Sequence, residues 1–378
     1  MQNEFFRCCE LCPPDFYGKQ AGLEFQTRED ALKHFCRIGQ TRNYNPHPSF
    51  NTKWYKWQHP DVINFKSILH HFLFYSENNF FDPSPYIDLR KLQDVTGTED
   101  IIELINLSSK KEFGPMHGVY HDHYQLIDQQ KNFQHSHSCN LVKALPSISS
   151  DQQRRNLVWV QLGPGTEFFK WFDANKFRTW DLLANCYEKT PVDAEGILLQ
   201  PGTKFTGMAH VWENYPETFE GYESVIFIDD DLQFIHEDID LLFQTAEENQ
   251  IDVFQPALAK GSFGTWPVFS QKFDTTWRQT NGVEIMMPGL RGNAIKDLLP
   301  LFCYSVSGFG IDLLMAEVSK NKGYTSGVID TVAALHTKEI DQTGGRYYNY
   351  LRSKGINPNA ELWYLIDSFG LDIGFVQL

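Results

Sequence analysis

Positive charge is scarce in this sequence of 378 residues. Lys and Arg number 33 against 48 Asp and Glu, which gives a formal net charge of −15 at pH 7. Non-specific nucleic-acid binding depends on Lys and Arg that neutralise phosphates, so no nucleic-acid partner is expected. Broad docking on anionic membranes is disfavoured for the same reason, although a local basic patch would still allow peripheral membrane association.

Long apolar runs are missing, and cysteine is sparse. No stretch of about 18 uninterrupted apolar residues occurs, so no transmembrane helix is predicted. Residues 1–4 do not open a basic and then apolar segment of the kind that marks a secretory signal. The cysteine count of seven is small and odd, which fits a reduced, cytoplasmic setting better than a disulfide scaffold.

Three cysteines lie close together near the start of the chain. Cys8, Cys9 and Cys12 are followed by His34 and Cys36. A structural zinc ion would need four ligands in tetrahedral geometry, and a second Cys pair of the usual spacing is missing. Free thiols are therefore the favoured interpretation, and residues 1–24 are treated as a separate N-terminal segment.

Apolar residues make up 42% of the chain and aromatic residues 15%, enough for a sizeable core in two or three domains. A pattern recurs after 37 residues, in which a short helix, a Pro-punctuated turn and a second short helix follow one another. The matching pairs are His34 and His71, Pro46 and Pro83, and Pro48 and Pro85. Paired helices of this kind bury their apolar faces against their neighbours.

The repeated pattern, within residues 25–97, resembles a short repeat found in front of bacterial polysaccharide-synthesis glycosyltransferases. The second copy departs from that pattern, since Ser76 replaces Gly39 and no proline precedes Asp94. The resemblance implies a helical repeat module over residues 25–110. A connector follows at residues 111–150, whose histidines are either metal ligands or solvated and locally bonded groups. Its candidate ligands are His117, His121, His123, His135, His137 and Cys139.

After residue 150, strand and helix signals alternate, which predicts an α/β domain with a mostly parallel sheet. Apolar strands are predicted at residues 156–162, 180–186, 224–228 and 252–256, and a helix at residues 236–248. The strand at 224–228 is continuously apolar, which is typical of a strand buried on both faces.

An acidic triplet, Asp229, Asp230 and Asp231, follows the strand at 224–228. Ligands of open α/β sheets bind outside the carboxyl ends of the strands. Two carboxylates at such a place can bind Mg²⁺ or Mn²⁺ together with substrate phosphates. The alternative is an acidic turn that caps the next helix. Three adjacent negative charges also predict a positive group nearby.

Five sequence blocks in this half of the chain resemble an uncharacterised branch of the A-type glycosyltransferases, the nucleotide-diphospho-sugar transferase superfamily. The resemblance implies a Rossmann-like, mostly parallel catalytic domain over residues 151–345, with an aromatic-rich extension at residues 346–378. The blocks are Tyr222 to Leu232, Gln255 to Leu258, Val283 to Pro288, Gly308 to Asp312, and Val328 to Asp330 with His336.

The resemblance implies a role for several residues. Asp229 and Asp231 would bind Mn²⁺ or Mg²⁺ together with the late histidine His336, which otherwise is a core histidine. Asp312 would be the general base that deprotonates the acceptor hydroxyl, although one acid stands where many relatives have two, and an acid at a helix start is also favoured electrostatically. Asp230 occupies the variable middle position on the donor side.

Four further residues have two interpretations each. Glu284 either contacts the acceptor or belongs to a buried ion pair. Lys204 either offsets diphosphate charge or is a surface lysine, and Trp266 either stacks on an acceptor sugar or packs. Gly163 either lets the backbone approach the donor nucleotide or simply forms a turn.

Together these features predict metal-dependent transfer of a sugar from a nucleotide-sugar donor to a glycan or lipid-linked acceptor, with inversion, in surface polysaccharide biosynthesis. One alternative is a degenerate domain that binds a sugar nucleotide or glycan without turnover. Another is a metal-dependent phosphohydrolase, which would need more ligands on neighbouring strand ends.

Overall fold

The computed structural model describes residues 2–79, 81–137, 139–145, 153–342 and 344–378. They divide into two compact units, one made of Met1–Gln129 with Asn349–Ala360 and the other of Gln130–Tyr348 with Glu361–Leu378. The C-terminal extension predicted at residues 346–378 is therefore shared between the units. The boundary predicted near residue 150 falls outside the described residues.

The first unit is helical, as the repeats predict. Its helices are α1 (Gln2–Glu10), α2 (Pro14–Ala21), α3 (Arg28–His34), α4 (Thr52–Gln58), α5 (Ile68–Asn79), α6 (Leu89–Thr96) and α7 (Ile101–Ser108). Helices α8 (His123–Ser136), α13 (Arg346–Ser353) and α14 (Pro358–Phe369) each have residues in both units.

The two turns of the repeat have equivalent capping hydrogen bonds as well as equivalent prolines. The side chain of Asn51 caps α4 by accepting from the N–H of Trp54, and Asp88, 37 residues later, caps α6 by accepting from Lys91. The N–H of Asn51 donates to the carbonyl of Pro83, 2.9 Å away, and so joins one turn to the other. A capping side chain of this type stabilises a helix by about 1 kcal/mol, which explains why Asx residues recur at these positions.

The repeated histidines have a structural role. His34 Nδ1 is hydrogen-bonded to the hydroxyl of Tyr17, and His71 Nδ1 to that of Tyr55, at 2.8 Å in both cases. Each pair joins the helix that carries the histidine to the helix before it, so the repeats fix helix packing.

The second unit contains the sheet, and its α/β class with mostly parallel strands confirms the prediction. Two parallel groups, β4-β3-β2-β5 and β7-β10, are separated by β9, which is antiparallel to both of its neighbours. The strands are β1 (Asn140–Lys143), β2 (Asn156–Leu162), β3 (Trp180–Cys186), β4 (Gly196–Leu199), β5 (Ser224–Ile228), β6 (Leu232–Gln233), β7 (Val253–Leu258), β8 (Trp277–Gln279), β9 (Gly289–Arg291) and β10 (Ser326–His336).

The strand directions decide where a ligand can be bound. Because β9 is antiparallel to both β5 and β7, these two strands run in the same direction. The carboxyl ends of β2, β3, β5, β7 and β10 therefore share one edge of the sheet, the expected ligand edge. Helices α9 (Lys204–Asn214), α10 (Asp238–Glu248), α11 (Asn293–Leu298) and α12 (Ile311–Lys322) complete the unit. In the described part of the chain, no helix has the length and apolar character needed to cross a bilayer.

Candidate active site

The acidic triplet emerges from β5, whose five residues are all buried. Its backbone is fixed at three points: the Asp229 N–H donates to the Met286 carbonyl, and the carbonyls of Asp230 and Asp231 accept from the N–H groups of Glu167 and Thr337. Neighbouring segments of the ligand edge thus hold all three carboxylates in place.

Asp229 is paired with Lys204, the first residue of α9. The Lys204 Nζ lies 2.6 Å from Asp229 Oδ1 and also donates to the carbonyls of Ile285, at 2.6 Å, and Met286, at 3.2 Å. An ammonium group has three hydrogens, so all its donors point into the protein. Burial raises the pKa of Asp229 to about 6, partly offset by the charge of Lys204. Lys204 is the positive group expected beside the triplet, but it is buried and holds Asp229, and no donor is left for a diphosphate.

Asp231 is paired with His336, the last residue of β10. The Nδ1 of His336 is hydrogen-bonded to the carbonyl of Phe263, and a carbonyl only accepts, so Nδ1 carries the hydrogen. Nε2 then faces Asp231 Oδ1 at 3.5 Å. Burial lowers the pKa of His336, but the hydrogen bond and charge of Asp231 raise it more. Burial likewise raises the pKa of Asp231, whereas His336 and Lys338 lower it below its ordinary value.

The Asp231–His336 arrangement fits a cation. With Nδ1 protonated, Nε2 and the carboxylate oxygen both direct lone pairs at the space between them, which is stable only when a proton or a metal ion lies there. The structure brings Asp231 and His336 together, while Asp229 is held by Lys204. Among the described residues no group of three His, Cys, Asp or Glu side chains is placed to hold a metal ion, so a three-ligand site is not assembled.

Asp230 lies under a tyrosine that the sequence did not single out. The hydroxyl of Tyr187 donates to Asp230 Oδ2 at 2.6 Å, and the Lys338 Nζ lies 3.6 Å from Oδ1. A Cβ on Gly163 would be 1.9 Å from the Tyr187 ring. Gly163 thus makes room for the tyrosine that orients Asp230, a different role from close approach to a nucleotide.

Asp312 lies in the first turn of α12, after the Gly310 residue in left-handed conformation. The turn before it is fixed by the fully buried Glu361, which accepts from the N–H groups of Val306 and Ser307 at 2.8 Å. Burial raises the pKa of Asp312 to about 7. A carboxyl group with this pKa can accept a proton near neutral pH.

Glu284 is buried, and its Oε2 has no hydrogen-bond partner among the described residues. Burial raises its pKa to about 8, and the negative charge of Asp312 adds to the rise. This observation disfavours the ion-pair interpretation, because a partnered glutamate would have its pKa lowered. An unpartnered buried carboxyl group is instead available to a ligand.

Trp266 borders a cleft of about 460 Å³ beside the carboxyl end of β7. Its ring is half-buried and packs edge-on against Phe375, with 5.4 Å between centroids. It is therefore both packed and accessible.

The two other groups of candidate metal ligands, the N-terminal cysteines and the connector histidines, have simpler explanations. Cys8, Cys9 and Cys12 are buried and form no disulfide among the described residues, and burial raises the pKa of Cys12 to about 12, which disfavours the thiolate that zinc needs. In the connector, His121 is bonded to the carbonyl of Phe113 and His137 to that of Phe133. Connector residues 138 and 146–150 lie outside the described residues.

Three residues of the site were missed: Tyr187, Lys338 and Tyr348. Tyr187 directly follows β3 and Lys338 follows β10 by two residues, so their positions at strand ends were a usable signal. Burial raises the pKa of Tyr348 to about 12, and the negative charges of Asp229 and Asp231 add to the rise. No pattern in the sequence indicates this.

No protein-family model matches the chain, and no curated protein matches it. Among solved structures, GalNAc-T7 with UDP, GalNAc and Mn²⁺ is 6% identical, with a TM-score of 0.38 over 58% of this chain and 48% of that chain. The 1–349 fragment of S. aureus TarS is 11% identical, with a TM-score of 0.31 over 48% and 59%. The same fragment with UDP-GlcNAc is 12% identical, with a TM-score of 0.30 over 52% and 60%. The chain spans about half to three fifths of the length of these solved chains.

Proposed function

We propose that the second unit transfers a sugar from a nucleotide-diphosphate sugar to a hydroxyl group of a glycan or lipid-linked acceptor. The observation that carries this proposal is that one unit contains both a pair of side chains suited to a cation and a carboxyl group suited to act as a base. A cation-binding pair, Asp231 and His336, lies at the ends of β5 and β10, and a carboxyl group with raised pKa, Asp312, belongs to the same unit. The resemblance of the sequence blocks supports the same reaction.

In this mechanism Asp312 takes the proton from the acceptor hydroxyl. The acceptor oxygen then forms a bond to the anomeric carbon while the bond from that carbon to the diphosphate oxygen breaks. Attack from the side opposite the leaving group inverts the anomeric centre. Glu284, with its free Oε2, donates or accepts a hydrogen bond to the bound sugar.

A divalent ion, Mn²⁺ or Mg²⁺, would be held by Asp231 and His336 and would neutralise the departing diphosphate. The remaining ligands would be phosphate oxygens and water, as is common for these ions. Lys204 keeps Asp229 in position, and the exposed Lys338 adds positive charge beside the cluster.

The setting we propose is the synthesis of a surface polysaccharide or lipid-linked glycan in the cytoplasm, because the N-terminal repeats resemble those that precede enzymes of that pathway class.

The second candidate is a domain that binds a sugar nucleotide or glycan without turnover. The position of Lys204 favours this second candidate. Its ammonium group already neutralises Asp229, a carboxylate that a metal ion would otherwise use.

Incubation with a panel of nucleotide sugars and Mn²⁺ separates the candidates. Release of nucleoside diphosphate that stops after chelation and in Asp231→Asn supports the transferase. Donor binding without release supports the binding domain. Phosphate release from generic phosphoesters would overturn both in favour of a phosphohydrolase.

A further inference from the structure

The cleft beside β7 lies close to the site but outside the acidic cluster. Its volume of about 460 Å³ is within the range of small-molecule sites. The residues that matter for its chemistry are Lys260, Ser262, Trp266, Ser270, Gln271 and Phe273.

The lining combines aromatic rings with hydroxyl and amide groups. Phe273 is 86% exposed, and the half-buried Trp266 ring is held by Phe375. One exposed ring is ordinary on a protein surface, but rings gathered around one concavity indicate a ligand. Sugar rings present apolar C–H faces and polar edges. The two aromatic rings suit the faces, and Lys260, the Ser270 hydroxyl and the Gln271 amide oxygen suit the edges.

The cleft is joined to the candidate active site by backbone and side-chain hydrogen bonds. Ser262 Oγ accepts from the N–H of His336 at 3.1 Å, and the carbonyl of Phe263 holds the His336 imidazole. The N–H of Ala259 donates to Ala334, also in β10. Ala259 and Ser262 of the cleft lining are therefore hydrogen-bonded to the end of β10, the strand whose last residue, His336, faces Asp231.

A second part of the lining, at Ser270 and Gln271, is anchored beside a buried ion pair. Arg278 Nε lies 2.9 Å from Asp330 Oδ2, and the same guanidinium donates to the carbonyl of Ser270 at 2.6 Å. Both parts of the lining are thus hydrogen-bonded to β8 or β10, which gives a preformed cleft of the kind that ligand sites usually have.

We infer that this cleft binds a neutral oligosaccharide, and that it seats the sugar chain of the acceptor so that its end reaches the space beside His336. Naming the oligosaccharide as acceptor rests on the proposed function, whereas the binding itself does not. The single lysine in the cleft and the net charge of −15 disfavour a polyanionic ligand.

The test measures binding of neutral oligosaccharides (malto-, cello-, manno- and chito-series) to the full chain by calorimetry. For the oligosaccharide series that binds, we expect Phe273→Ala to raise the Kd at least tenfold, because one ring that stacks on the sugar is lost. Phe177→Ala is the matched control, since Phe177 is 85% exposed and precedes β3 at the opposite edge of the sheet. It should bind as the unchanged protein does. Trp266→Ala is expected to act in the same way as Phe273→Ala, with circular dichroism to confirm folding.

The outcomes separate this inference from the proposed function. No binding at millimolar concentration, or equal loss in Phe273→Ala and Phe177→Ala, overturns the cleft assignment, even if nucleotide sugars are turned over. Phe273-dependent binding without turnover keeps the cleft and overturns the transferase. If both hold, Phe273→Ala should raise the acceptor KM at least tenfold relative to Phe177→Ala.

Discussion

At the scale of single residues, the raised pKa of Asp312 suits a general base that works near neutral pH. Its pKa of about 7 is above that of an ordinary aspartic acid because burial disfavours its charged form. A base works only when deprotonated, so we expect kcat/KM to rise about tenfold per pH unit below pH 7 and to level off above it. Glu284, with a pKa of about 8, stays mostly protonated below pH 8.

Replacement of Asp312 by Asn should lower kcat by about 10²–10⁴-fold and remove the acidic limb of the pH profile, while donor binding is unchanged. Steady-state rates between pH 5 and 8.5 and donor titrations measure this. If kcat/KM of Asp312→Asn still falls below pH 7, the group that titrates is not Asp312.

Gly163 gives a second residue-scale prediction. Ala at this position would place a Cβ against the Tyr187 ring, so we expect Gly163→Ala to release Asp230 from Tyr187 and weaken donor binding by about tenfold, the equivalent of one hydrogen bond to a charged group. In a Tyr187→Ala background the same change should have little effect, because the ring is gone. An equal loss in both backgrounds, by calorimetry, would mean that Gly163 contacts the nucleotide directly.

Part of the site could be predicted from the sequence because its residues follow strong local patterns. The triplet follows a continuously apolar strand, and sheet geometry then fixes the edge to which it points. The saturation of Lys204 could not be predicted, because its acceptors at residues 285 and 286 lie far away in the chain and are backbone groups that carry no sequence signal.

At the scale of elements, Asp330 of β10 pairs with Arg278, which in turn holds Ser270 of the cleft lining. Its side chain is fully buried with Arg278, and removal of one member of a buried ion pair leaves the other charge unpaired. We expect Asp330→Asn to lower the free energy of unfolding by about 3–5 kcal/mol, and Arg278→Met with Asp330→Leu together to lose less. Denaturant titration measures both.

Glu317→Gln is the control for this prediction, because its pair with Lys320 on α12 is exposed and should contribute less than about 1 kcal/mol. If Asp330→Asn lowers the free energy of unfolding no more than this control does, the Arg278–Asp330 pair does not anchor the cleft lining.

The elements themselves differ in how far the sequence predicts them. β2 and β3 match the predicted residues, because five of the seven residues in each strand are apolar. β9 has three residues, and its antiparallel place between β5 and β7 was not predictable, since three residues contain no period and their pairing is decided by distant strands.

At the scale of the whole molecule, the first unit depends on residues from the end of the chain. Arg352 Nε lies 2.7 Å from Asp88 Oδ2, the residue that caps α6. We expect Arg352→Met to destabilise this unit by about 1.5–3 kcal/mol, visible as faster hydrogen exchange in α6 and unchanged exchange in β5.

Arg346→Met, on the same helix, is the control. Arg346 pairs with Glu188 at the surface, where its side chain is 78% exposed, so exchange in α6 should not change. Equal exchange in both variants would mean that the C-terminal segment is not needed by the first unit.

The Tyr120 hydroxyl donates to the carbonyl of Gly355, and Asn357 donates to the carbonyl of Pro85. During translation, the N-terminal helices leave the ribosome long before these partners exist. The helices of the first unit are therefore made before the residues that complete them, and their apolar faces stay exposed to aggregation until synthesis has passed residue 357.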